Sequence, residues 1–257
     1  YTQSKNVTTT TITITKTRGE IMESKNERKG EEKQEIRILC LGDSLTKGYF
    51  KRGMYYHPYS DSLYKLLTKS HPSIKWKIHT NGVNGYKAIH MPNLYKKTMK
   101  DIQGKNVRPT MKNCIRTCFR MMGGNQTRAT FDYVIILGGI NDLCLGEKPE
   151  NVFKGLQETH KLALKNGSKK TFALTVAEHC QEKLSEGHLK KLREDLNKRI
   201  RSLSSEKTTI IDFALEFPYF SLDERQREEY WDDGLHYTPA GYAQMGNIIH
   251  NVFVKHL

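Results

Sequence analysis

Five short apolar runs, alternating with helical patterns and ending in glycine or polar clusters, constrain this chain more than any other feature. They cover residues 36–41, 74–79, 131–137, 171–176 and 209–213. The first stops at Gly42, the second at Asn81-Gly82 and the third at Gly138-Gly139, as buried parallel strands do. Helical spacing appears between them. Tyr59, Leu63, Leu66 and Leu67 recur over 58–68, and Val152, Leu156 and Leu162 over 149–165. Leu189, Leu192, Leu196, Ile200 and Leu203 form a stripe with charges assigned to its other face, and 239–254 opens on a proline at its first turn. Alternation over some 220 residues predicts an α/β fold with a parallel sheet of about five strands covered on both faces.

The two ends of that pattern set the expected domain. Residues 1–35 contain a Thr/Ile alternation and then a segment rich in Glu, Lys, Arg and Asn. Such a segment buries too little to offset its ordering entropy, so a disordered tail is expected there, followed by one folded domain over 36–257. Met22 reads as a candidate initiator, and no secretory pattern is visible. The roughly 50 residues between the second and third strands exceed a normal crossover and predict an insertion or cap at about 96–130.

Charge concentrates in that insertion. The whole chain carries 42 Lys and Arg against 28 Asp and Glu, a net charge of +14. Residues 96–128 hold nine of the bases and a single acid, Asp101. A basic cluster of this kind is either a solvated surface or a patch for anionic lipid or another acidic partner. No recognised nucleic-acid motif accompanies it. Five scattered cysteines, Cys40, Cys114, Cys118, Cys144 and Cys180, form no C-x-x-C pair, which predicts reduced thiols in a cytoplasmic-type compartment. No apolar stretch approaches the roughly 20 residues a membrane-spanning helix needs.

Ligands of open parallel sheets bind at the carboxyl ends of the strands, and the polar clusters of this chain fall there. They read Gly42-Asp43-Ser44-Leu45-Thr46, Asn81-Gly82-Val83-Asn84-Gly85, Gly139-Ile140-Asn141-Asp142 and Asp233-Gly234-Leu235-His236. A hydroxyl, an imidazole, carboxylates and flexible glycines are the ingredients of acyl transfer. Each also has a plainer use. Ser44 serves equally to cap a turn, Asn141 and Asp142 as turn residues, and Gly82 competes with Gly85 for any special backbone role. Asp43 reads as a holder of the loop. Asp232, Asp233 and His236 could ligate a metal, but no further His or Cys lies at ligand spacing, so none is expected. The aromatic run Tyr49, Phe50, Tyr55, Tyr56 and Tyr59 either lines a substrate pocket or packs the first helix. Glu178-His179-Cys180 reads as a loop coincidence.

In this order the four motifs resemble the SGNH hydrolase superfamily, the GDSL-type esterases and lipases, over roughly residues 36–255. The resemblance implies a flavodoxin-like three-layer α/β/α sandwich. It implies a serine hydrolase cleaving carboxylic esters through an acyl-enzyme without a cofactor. Position by position it assigns Ser44 as nucleophile, His236 as general base and Asp233 as the carboxylate orienting it. The oxyanion hole falls to the N–H groups of Ser44 and Gly85 and the Asn141 amide. A glycine at 85 is expected because a side chain would crowd the substrate carbonyl. The alternative on the same fold is a catalytically weak protein that uses the basic 96–130 segment to hold a polyanion or lipid surface.

Overall fold

The computed structural model describes residues 33–102 and 130–257. The tail expected over 1–35 therefore lies outside them except for its last residues, and Glu35 already opens the first strand. In chain order, β1 (Glu35–Gly42) leads into a single helical turn, α1 (Ser44–Lys47). A small antiparallel hairpin follows, β2 (Tyr49–Phe50) and β3 (Tyr55–Tyr56), then α2 (Tyr59–Ser70), β4 (Lys75–Gly82) and α3 (Met91–Ile102). The second half runs β5 (Tyr133–Ile136), α4 (Ile140–Cys144), α5 (Pro149–Lys165), β6 (Lys170–Leu174), α6 (Gln181–Leu184) and α7 (His188–Arg201). It closes with β7 (Thr208–Ile211), α8 (Phe213–Glu216), α9 (Glu224–Tyr230) and α10 (Pro239–Phe253).

Five parallel strands make one sheet in the order β4-β1-β5-β6-β7. The chain starts in β1, steps outward to β4, then crosses back to β5 on the other side. That reversal creates a crevice at the carboxyl end of β1, the place where open α/β sheets bind ligands. Gly42 and Gly82 are paired in register at that end.

Strand alternation sends β1 side chains into two cores. Ile36, Ile38 and Cys40 join Tyr59, Leu63 and Leu67 of α2 and Tyr242, Met245, Ile249 and Phe253 of α10. Leu39 and Leu41 join Met91, Leu94 and Tyr95 of α3, Val152 and Leu156 of α5 and Leu196 and Ile200 of α7. Burying each such side chain contributes roughly 1.5–3 kcal/mol, so the period-two pattern fixes the register of β1. The layers are helix, sheet, helix, as expected from the sequence.

Two differences from the sequence reading matter. Residues 96–102 of the expected insertion belong to α3, an ordinary crossover helix whose Lys96, Lys97 and Lys100 face outward while Met91, Leu94, Tyr95 and Met99 face the sheet. Residues 103–129, with most of the basic cluster and Cys114 and Cys118, lie outside the described residues. On α7 the buried face is not wholly apolar: Arg193 and Asn197 lie buried on it beside Leu196 and Ile200, while Lys190, Lys191, Glu194, Lys198 and Arg201 stay exposed on the other face.

Candidate active site

Steric closeness builds the turn after β1. A Cβ on Gly42 would stand 2.2 Å from Thr46 Oγ1 and 2.5 Å from the Leu137 carbonyl oxygen. One on Gly82 would stand 2.3 Å from the Lys47 nitrogen. Both glycines therefore let α1 sit hard against the strand ends, and Gly82 is occupied in packing. Asp43 caps α1: its Oδ1 accepts from the Leu45 N–H at 2.9 Å, and its carbonyl accepts from the Lys47 N–H at 3.0 Å. Ser44 is consequently the first residue of the turn, held with little freedom at the rim.

The other half of the cluster comes from the loop before α10. Asp232 N–H donates to the His236 carbonyl at 2.8 Å, and Trp231 bridges Tyr237. Tyr237 and Trp231 anchor this loop in an aromatic cluster with Phe213, Phe217 and Tyr242. Gly234, at φ +78°, lies close over Cys180, whose N–H donates to the Gly234 carbonyl at 2.9 Å. A Cβ on Gly234 would meet Cys180 Sγ at 2.6 Å.

These two segments bring Ser44, His236 and Asp233 into one line. Ser44 Oγ lies 2.9 Å from His236 Nε2, and His236 Nδ1 lies 2.8 Å from Asp233 Oδ2. The Asp233 carboxylate can only accept when ionised, so Nδ1 carries the proton and Nε2 is left to accept from the serine hydroxyl. The second oxygen, Oδ1, accepts from the backbone N–H groups of Leu235 at 3.0 Å and His236 at 2.7 Å. Burial opposes ionisation of Asp233, but these donors and His236 outweigh it and pull the carboxyl down to about 2. Tyr49 of the hairpin rests on the imidazole, ring centroids 4.4 Å apart.

Asp43 is the opposite case. It is fully buried, and Oδ2 has no hydrogen-bond partner. Burial pushes its carboxyl up to about 7, against the pull of the Leu45 N–H and His236, with Asp142 adding to the rise. A small void of about 10 Å³ lined by Asp43, Leu137, Ala177, Phe213 and Tyr237 adjoins it.

In the turn after β4, Gly85 sits at φ +68° with open space where a Cβ would project. Glycine is needed there for its backbone conformation; no neighbouring atom of the protein forbids a side chain. Asn141, in α4, donates one amide proton to the Tyr86 carbonyl at 3.2 Å, which fixes the amide plane beside the Gly85 turn. Its neighbour Asp142 is fully buried and accepts from Ala88 N–H at 2.7 Å and Ile89 N–H at 3.1 Å. Burial raises the Asp142 carboxyl, with those two N–H groups opposing. Asp142 thus clamps the 85–90 segment to α4. In the sequence it reads only as a turn residue, and a carboxylate directly after Asn141 is its one signal.

The aromatic run divides. Tyr59 is core, Tyr49 lies against His236, and Tyr55 and Tyr56 are exposed. Glu178 and Cys180 of the Glu178-His179-Cys180 run have structural contacts in the loop after β6. Glu178 Oε2 accepts from Phe220 N–H at 3.0 Å, and Cys180 supports Gly234. Buried Arg193 makes a two-pronged pair with buried Glu182, at 2.7 and 3.0 Å, and lies 3.6 Å from Glu178. Nothing in the hydrophobic pattern of α7 signals that pair. Asp232, a metal-ligand candidate by residue type, accepts the Lys51 N–H at 2.8 Å.

A five-stranded parallel sheet flanked by helices thus carries Ser44, His236 and Asp233 hydrogen-bonded in series at the carboxyl end of β1. The chain belongs to the GDSL-like Lipase/Acylhydrolase family, whose model matches residues 40–244. Solved structures share the fold at low identity. A lipolytic protein of the G-D-S-L family from Veillonella parvula is 16% identical with TM-score 0.58, covering 86% of this chain and 99% of its own. The lipase/acylhydrolase from Enterococcus faecalis is 17% identical with TM-score 0.54, covering 85% and 95%. LAE5, an alpha/beta hydrolase enzyme from the Lake Arreo metagenome, is 19% identical with TM-score 0.56, covering 86% and 94%. No curated protein matched the sequence.

Proposed function

We propose that the chain is a serine hydrolase of carboxylic esters that works through an acyl-enzyme, with Ser44, His236 and Asp233 as its catalytic groups. The observation that carries this reading is the unbroken hydrogen-bond series from Ser44 Oγ through the imidazole to Asp233. Ser44 Oγ attacks the ester carbonyl carbon while its proton passes to His236 Nε2. The carbonyl π electrons move onto oxygen, and the oxyanion is received by the N–H groups of Ser44 and Gly85 and the remaining amide proton of Asn141. Asp233, held ionised at neutral pH, stabilises the imidazolium. The tetrahedral centre then collapses, the C–O bond to the alcohol breaks, and His236 returns its proton to the leaving oxygen. Water repeats the sequence on the acyl-enzyme and frees Ser44 and the acid.

Turnover of p-nitrophenyl acetate tests the reading. Ser44→Ala and His236→Ala should each reduce kcat/KM by several orders of magnitude, on the order of 10⁴ or more by analogy with triad deletions. Asp233→Asn, which keeps the shape but not the charge, should be milder than either. Wild-type rates in Ser44→Ala would contradict the proposal.

A further inference from the structure

The β2–β3 hairpin ties the two sides of the crevice together. At one side the Tyr49 ring lies on His236, the Tyr49 carbonyl accepts the Tyr242 hydroxyl at 2.8 Å, and Asp232 holds Lys51 N–H. Tyr49 is paired with Tyr56 across the hairpin, their rings edge to face with centroids 6.3 Å apart. At the other side the Tyr56 hydroxyl accepts from Asn84 Nδ2 at 3.4 Å, one residue before Gly85. The result is an aromatic wall that starts at the imidazole and ends beside the Gly85 turn.

A lysine completes that wall. Lys47 is three residues from Ser44 on the same helical turn, the spacing that brings side chains to one face. Its ammonium nitrogen lies 4.4 Å from the centre of the Tyr56 ring. Among the described residues no carboxylate lies within ion-pairing distance of it. The groups gathered there can all donate: the Lys47 ammonium, the Tyr56 hydroxyl proton left over after accepting from Asn84, and the Asn84 amide. The acids near the wall do not pair with it: Asp232 and Asp233, at the opposite end, are taken up by Lys51 N–H and by His236, while Asp43 and Asp142 are fully buried.

We propose that Lys47, braced on Tyr56, is a specificity residue that recognises a carboxylate or phosphate on the alcohol portion of the ester. The inference rests on the hydrolase reading. The leaving oxygen must lie at His236, and an alcohol portion running from there along the Tyr49 and Tyr56 rings reaches Lys47 at the far end of the wall. A cation partly shielded by an aromatic ring, meeting an anion at a half-exposed rim, supplies a preference well below that of a buried pair.

The test compares 4-acetoxybenzoate with its neutral methyl ester in the wild type, Lys47→Met and Lys47→Arg at low ionic strength. Comparing the kcat/KM ratio of the two substrates between proteins cancels the difference in their intrinsic reactivity. The wild-type ratio should exceed that of Lys47→Met by roughly five- to tenfold, the range of a single partly screened charge contact. Lys47→Arg should keep most of the preference, and added salt should erode it only where the cation remains. Equal ratios in wild type and Lys47→Met would overturn the inference and leave the hydrolase reading standing. Absence of wild-type turnover on both esters would instead count against the hydrolase reading, and the inference would fall with it.

Discussion

At the scale of single residues, two carboxyls beside the crevice are driven in opposite directions by their surroundings. Asp233 is half exposed and rich in donors; Asp43 is sealed in, with one oxygen unpartnered. An acid whose pKa is raised in the folded chain holds its proton there longer than in the unfolded chain. Asp43 therefore costs stability as pH rises from its ordinary 3.8 through about 7. Asp233, lowered to about 2, acts the other way: its contribution is present above 3.8 and is lost as pH falls toward 2. Asp43→Asn keeps the cap acceptor and removes the titration. Between about pH 4 and 8, the Tm of this variant should fall less than that of the wild type. Identical pH slopes in a thermal melt series would contradict the assignment of burial as the cause. The family resemblance of the four motifs is what singles out Ser44, Gly85, Asn141, Asp233 and His236 in the sequence, and the structure brings Ser44, His236 and Asp233 into hydrogen-bond contact. The burial of Asp43 is not legible there, because solvent exclusion around a turn depends on Leu137, Phe213 and Tyr237, all distant along the chain.

Elements that support the site but carry no reactive group are the hardest to read from the sequence. The boundaries of α5 and α10 follow from proline at their first turn and apolar spacing. The β2–β3 hairpin is only two residues per strand, too short for alternation to register. Helix α7 shows a further limit. Its leucine stripe is evident, but Arg193 and Asn197, polar by residue type, lie buried on the same face as Leu196 and Ile200. Asn197 accepts from the Val176 N–H at 2.7 Å and donates to the Val176 carbonyl at 2.8 Å, so it pairs with the backbone just beyond β6. Arg193 binds Glu182 and approaches Glu178, in the loop that supports Gly234. Removing one member of such a pair strands the other charge in the interior. Arg193→Met should cost about 3–5 kcal/mol. For a domain of this size that lowers Tm by roughly 10 °C. A shift below about 2 °C would show the pair to be worth little.

For the whole molecule, the sheet order and two-sided core follow from β1, whose alternating residues feed opposite layers. A sequence with strand–helix alternation has few other solutions, because right-handed crossovers must cover both faces. What alternation does not encode is the content of a long connection: α3 occupies the first part of the stretch whose length predicts an insertion. The expected division between a tail and a domain leads to a direct test. A chain beginning at Lys33 keeps β1 and the contact of Lys33 Nζ with the Pro72 carbonyl, 2.8 Å. Its Tm should lie within about 2 °C of the full chain, a difference under about 1 kcal/mol. A larger loss would place part of the folded domain before residue 33.

Every catalytic step proposed for this chain depends on Ser44 being an activated nucleophile. Treating the folded 257-residue chain with a fluorophosphonate probe and mapping the adduct by peptide mass spectrometry reads this out. One covalent adduct is expected on Ser44, absent from Ser44→Ala and strongly slowed in His236→Ala, since the imidazole must take the serine proton. A folded wild-type protein that stays unlabelled, or is labelled at another serine, would contradict it.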